Sequence, residues 1–154
     1  MGTQLEYVRH FRELEVYKRQ REFSFAVFTV SKGFPVEEIY SLTDQLRRAS
    51  RSIGAQIAEA WAKRLYAKHF VSKLTDADGE QMESQHWLIE ARDCGYLDQI
   101  NSQQLLGLCE EIGRMLGSMM RKAETFSSHD YTLQEEPPPF LVNDSLEPPL
   151  TTDY

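Results

Sequence analysis

The residues with the clearest chemical potential are cations. Arg47, Arg48 and Arg51 are followed by Lys63, Arg64 and Lys68. At helical spacing the arginines stand off the apolar stripe of their own segment, formed by Leu42, Leu46, Ala49, Ile53, Ile57, Ala60 and Trp61. Guanidinium groups gathered on one side suit phosphate, which they can hold bidentately. The plainer alternative is that these cations pair with Glu59, Asp76, Asp78, Glu80 or Glu83, within or between subunits. Trp61 and Trp87 could stack on bases. Both lie on or beside apolar stripes, so packing in the core or at a subunit contact is the expectation.

Catalytic chemistry finds no comparable constellation. Glu83-x-x-His86 has the i, i+3 spacing of di-iron helices, but such sites need a second Glu-x-x-His and two more glutamate-bearing helices, and the chain has no second copy. Cys94 and Cys109 show no ligand spacing and are expected to be reduced thiols of a cytoplasmic protein. Walker, Rossmann and zinc-finger patterns are absent. The expectation is a non-enzyme without cofactor or metal.

Charge is unevenly spread. The formal net charge is −7, yet residues 1–123 hold 17 Lys+Arg against 17 Asp+Glu. The imbalance is the work of seven acids in residues 124–154, where no Lys or Arg occurs. Inside the body, residues 1–73 carry 13 bases and 8 acids, and residues 74–123 carry 4 and 9. A basic first half and an acidic second half give a polarised surface. No run approaches the roughly 18 apolar residues of a membrane span, and no secretory h-region stands at the start.

Four helices must position these groups. The first is expected from about Arg12 to Lys32, with Phe23, Ala26, Val27, Val30 and Phe34 on one stripe. Leu14, Tyr17, Phe25 and Phe28 form another stripe, so this helix is expected to touch two neighbours, one of them in another subunit. Gly33-Phe34-Pro35 ends it, and Glu37 and Glu38 suit the opening of the second helix. Gly54, Ala55 and Ala58 mark a close helix–helix approach. A break at Tyr66-Ala67-Lys68 precedes the third helix, roughly Lys68 to Cys94, whose stripe is Phe70, Val71, Leu74, Ala77, Gln81, Met82, Leu88 and Ile89. Gly95 suits its left-handed end. Ser102 is expected to cap the fourth helix, which carries Leu105, Leu108, Cys109, Ile112, Leu116, Met119 and Ala123. Residues 1–10 read as a lead and 127–154 as an acidic tail, extended or disordered, with five of the six prolines.

Several of these segments resemble the small bacterial four helix bundle protein family, also called the S23 or rRNA-intervening-sequence protein family. The resemblance rests on Leu14-Glu15-Val16-Tyr17, Phe34-Pro35, Gln45-Leu46-Arg47-Arg48-Ala49 with Ser52-Ile53, Ile57-Ala58-Glu59 and Lys63-Arg64. Phe70 to Leu74, Asp76-Ala77-Asp78-Gly79-Glu80, Trp87-Leu88, Asp93-Cys94-Gly95-Tyr96 and Met119 to Phe126 continue it, over about residues 11–126. Gln56 and Ala60 depart from the family's usual Asn and Gly, and are expected to loosen the turn after the second helix. The resemblance implies an all-α, antiparallel, up-down four-helix bundle that assembles as a ring-like homo-oligomer, a homopentamer, with no known catalysis. Family members are encoded inside inserts of large-subunit ribosomal RNA genes, and related proteins are accessory subunits of reverse transcriptases in diversity-generating retroelements. Together with the arginine face, this leads to the expectation of an oligomeric scaffold acting on RNA or a ribonucleoprotein, with Phe25, Phe28, Trp61 and Trp87 at the oligomer interface. The alternative is a protein-interaction hub that recruits its partner by the acidic tail or the apolar face of the first helix.

Overall fold

A computed structural model describes residues 8–127. The lead before residue 8 and the acidic tail from residue 128 lie outside the described residues. The chain forms α1 (Glu15–Ser31), α2 (Leu42–Ala62), α3 (Ala67–Asp93) and α4 (Gln99–Arg121), and no strand occurs among the described residues. The helices pack as a bundle: α2 lies on α3, α3 on α4, and α1 on both α2 and α4. Phe34 of the α1–α2 connection meets Tyr96 of the α3–α4 connection at 5.9 Å. Trp61, near the end of α2, meets Phe126, just beyond α4, at 6.4 Å.

The core follows the helical period. Leu46, Ile53 and Ile57 of α2 are fully buried with Phe70, Leu74, Ala77 and Leu88 of α3 and Cys109, Ile112 and Leu116 of α4. The α3 stripe runs 70, 74, 77, 81, 84, 88, 91, and so takes in Gln81 and Ser84. Ser84 is satisfied locally by donating to the Glu80 carbonyl at 2.9 Å. Gln81 donates to Asp78 at 3.0 Å and accepts from Gln85 at 2.7 Å. Met82 and Ile89, expected in this stripe, are instead exposed, because they stand one residue beyond the positions that face inward.

The helix ends differ from the sequence-based expectations for local reasons. The first helix does not begin at Arg12: the His10 ring accepts from the Arg12 backbone at 3.2 Å and caps a 3-10 turn at Phe11–Glu13, after which Leu14 is extended. Glu37 and Glu38 form a separate 3-10 turn, and α2 opens at Leu42. Glu38 still acts on that opening, because its carboxylate accepts from the Leu42 backbone at 3.1 Å and the Ser41 hydroxyl at 2.7 Å. These bonds, the Ser41 hydroxyl first, hold the Glu38 carboxyl below its ordinary value. The cap of α4 is Asp98, which accepts from Asn101 at 2.7 Å, while Ser102 is buried inside the helix. Gly95 has φ 77°, the left-handed end expected after Cys94. Ala60 lies fully buried within α2, where its methyl packs in the core.

Candidate nucleic-acid interface

Two helical pairs build the site. Phe28 and Lys32 stand four apart on α1, Arg47 and Arg51 four apart on α2, and such spacing puts each pair on one face. Where the two helices meet, Lys32, Arg47 and Arg51 all lie over the Phe28 ring, at 4.6, 5.0 and 5.8 Å from its centroid. Arg47 is anchored: its Nε donates to the Ser31 hydroxyl at 2.8 Å, and that hydroxyl donates to the Phe28 carbonyl at 3.1 Å. Among the described residues none of these three cations has a carboxylate partner. A cation–ring contact is worth about 0.5–1 kcal/mol at an exposed site. The three positive charges thus share one ring as their neighbour and have no carboxylate among the described residues to offset them.

The carboxylates expected to neutralise the arginines are engaged elsewhere. Lys73 pairs with Glu59 at 2.9 Å and Asp76 at 3.5 Å. Its hydrogen bond holds the Glu59 carboxyl below its ordinary value, and the same bond raises the Lys73 ammonium. Asp78 receives Gln81, and Glu83 receives the Trp87 indole N–H at 3.2 Å. Glu83 is thus turned toward Trp87, which also meets the His86 ring at 4.7 Å. No group of three His, Cys, Asp or Glu side chains is gathered as a metal would need among the described residues.

The six expected cations do not form one site. Arg48 points about 100° round the helix from Arg47 and pairs with Asp44 at 2.8 Å. Lys63 caps the far end of α2, about 24 Å along the axis from Arg47 at a rise of ~1.5 Å per residue, Arg64 follows it, and Lys68 stands in the first turn of α3. Arg64 stacks on Trp61 at 4.0 Å and donates to the Trp61 carbonyl at 2.8 Å. Lys68 lines a cleft there with Tyr66, His69 and Glu124. Lys32 and Phe28 complete the ring site from α1. The signal for them was the four-residue spacing to each other, which says nothing by itself about which helix they meet.

The residues expected at an oligomer interface also separate. Phe25 is 70% exposed. Phe28 is half-buried under the three cations, and so offers them its face rather than an apolar partner. Trp61 is buried in its own chain against Phe126 and Arg64, which leaves little of it for another subunit. Trp87 is half-buried beside the core. Cys94 is exposed; Cys109 is buried, which pushes its thiol up to about 12. No helix of the described residues is long and apolar enough to cross a membrane.

The acidic run of α3 yields one pH-dependent expectation. Burial, followed by the charges of Glu83 and Asp76, raises the Glu80 carboxyl above its ordinary value. Ionising Glu80 thus costs the folded state more than the unfolded one. The penalty is absent below about pH 4 and present once the pH passes the raised value. Glu80→Gln is expected to add about 0.2–0.5 kcal/mol at neutral pH and nothing near pH 4. Urea midpoints at the two pH values check it.

The described residues thus form an all-α bundle in which Lys32, Arg47 and Arg51 lie over the Phe28 ring without a carboxylate partner among them. The family model described as 23S rRNA-intervening sequence protein matches residues 12–118, and the chain belongs to that family. A similar solved structure is a protein with unknown function from the S23 ribosomal protein family of Bacteroides thetaiotaomicron. It is 25% identical with a TM-score of 0.63, over 69% of this chain and 95% of that one. No curated protein matches.

Proposed function

We propose that this protein is a non-catalytic, cytoplasmic RNA-binding accessory protein, and that its up-down antiparallel bundle assembles into a ring-like homo-oligomer, a pentamer. Its partner is structured RNA or a ribonucleoprotein, such as a reverse-transcriptase complex. The observation that carries the reading is the convergence of Lys32, Arg47 and Arg51 on Phe28 without a carboxylate. Phosphates supply the missing charge, and a row of such rings around an oligomer would multiply a weak single contact. The exposed Phe25, Val36, Tyr40 and Ile100 supply apolar surface for association.

Charge reversal tests the reading. Arg47→Glu with Arg51→Glu is expected to weaken retention of structured RNA about tenfold or more, and to reduce the salt slope by about 1.8 for two lost phosphate contacts. Arg48→Glu, at a position already paired with Asp44, should change far less. Unchanged RNA binding in the double variant, measured by filter retention across a salt series, would sink the proposal.

A further inference from the structure

The chain leaves the described residues at the far end of α2, where the Ser127 hydroxyl donates to the Arg64 carbonyl at 2.8 Å. Between that point and the Phe28 cluster lies a cleft of about 170 Å³ between α1 and α2, bordered by the small side chains of Ala58 and Ala55 and by Arg21 and Arg51. Gln20 and Gly54 close against each other in its wall, and Gln20 Nε2 donates to the Ser50 carbonyl at 2.9 Å. Arg51 belongs to both the cleft and the cluster. Neither Arg21 nor Arg51 has a carboxylate partner among the described residues. Beyond Ser127 the sequence carries Asp130, Glu135, Glu136, Asp144, Glu147 and Asp153, with no Lys or Arg. Glu135-Glu136 is the one place there where two acids adjoin. From Lys63, Arg51 and Arg47 stand about 18 and 24 Å back along α2 at a rise of ~1.5 Å per residue. Glu135, eight residues past Ser127, can reach at most about 26–29 Å from it. Asp130, three residues past, can reach at most about 11 Å and falls short. Glu135-Glu136 is therefore the first acidic pair able to arrive at the cluster, and Pro137-Pro138-Pro139 follows it directly.

We infer that residues 128–136 lie back along the α1–α2 cleft of their own chain, and that Glu135 and Glu136 dock on Lys32, Arg47 and Arg51. Their carboxylates supply the charge the cluster lacks, in the guanidinium–carboxylate pairing that is among the stronger polar contacts. Exposed ion pairs are weak singly. Attachment at Ser127 holds these acids near the cluster at an effective concentration on the order of millimolar, so weak pairs suffice. The acidic segment then competes with any other anion for this face. The inference rests on the RNA reading only in naming RNA as what is displaced; the docking itself stands without it.

The test is zero-length carbodiimide cross-linking of the full chain, which joins carboxylates to amines in contact, read by mass spectrometry. Glu135 or Glu136 is expected to couple to Lys32, the lysine of the cluster. Arg47→Gln with Arg51→Gln leaves Lys32 in place and should lower that yield about threefold or more, the scale of two exposed ion pairs. Mixing isotopically labelled with unlabelled chains shows whether the link lies within one chain. Glu135→Gln with Glu136→Gln should also raise RNA retention about threefold or more at low salt. Asp144→Asn with Glu147→Gln, the same change of charge beyond the three prolines, should raise it far less. Circular dichroism verifies the fold, and the tail variants decide the matter if the arginine variant does not fold. No link to Lys32, a yield indifferent to the arginines, a link that joins different chains, or equal gains from the two tail variants would overturn the inference. RNA retention without the link leaves the RNA reading standing and removes this one. The link without RNA retention does the reverse.

Discussion

Phe70→Ala is expected to cost about 3–5 kcal/mol, the range for removing a fully buried phenylalanine. Phe70 sits in the first turn of α3 with none of its surface exposed. Its ring lies 5.2 Å from Phe126, which in turn touches Trp61. This one side chain therefore joins the end of α2, the start of α3 and the chain beyond α4. Its loss opens a cavity between three segments that cannot all collapse onto it. Against a typical total of about 5–15 kcal/mol, the variant should be partly unfolded at moderate temperature, and urea denaturation followed by circular dichroism reads the change. Phe25→Ala is the control. With its ring 70% exposed, it should shift a single chain by no more than about 0.5 kcal/mol. If its effect is larger and grows with protein concentration, Phe25 lies in a subunit contact.

The contrast between these two phenylalanines separates what the sequence discloses from what it withholds. Phe23, Val27, Ile53, Ile57, Phe70 and Leu116 are buried where a 3.6-residue period places them. The left-handed Gly95 and the end of α1 near Gly33 are equally local properties, and both were legible. The start of α3, at Ala67 against an expected Lys68, was legible too, whereas those of α1, α2 and α4 were not. Near each of these a side chain takes a particular backbone N–H: the His10 ring that of Arg12 in the 3-10 turn before α1, Glu38 that of Leu42 and Asp98 that of Asn101. Several residues in each stretch could have done so. The site lies further still from local reading. Arg47 and Arg48 are neighbours in sequence with the same chemistry, yet one rests on Phe28 and the other on Asp44. Only the rotation of α2 against α1 decides between them, and no periodicity within α2 states which of its polar faces α1 will approach.

That approach is set by a close contact whose energetics can be inverted by mutation. Gly54→Ala is expected to destabilise by about 1–2 kcal/mol, although replacing glycine by alanine inside a helix ordinarily gains about 1 kcal/mol. The added methyl would lie 2.5 Å from Gln20 Oε1 and 2.7 Å from its Cδ. The amide must leave, and the buried bond to the Ser50 carbonyl goes with it, at a cost of about 2–3 kcal/mol for the stranded polar group and the crowding together. In a Gln20→Ala background the obstacle is absent and the helix preference acts alone, so the same Gly54→Ala change should stabilise by about 1 kcal/mol. The sign reversal corresponds to a coupling of about 2–3 kcal/mol between residues on different helices, at the upper end for a contacting pair. Urea midpoints of the four proteins give it directly. Additive effects within about 0.5 kcal/mol would show that Gln20 does not occupy the space above Gly54. The α1–α2 spacing on which both the Phe28 cluster and the neighbouring cleft depend would then have to arise from apolar packing alone.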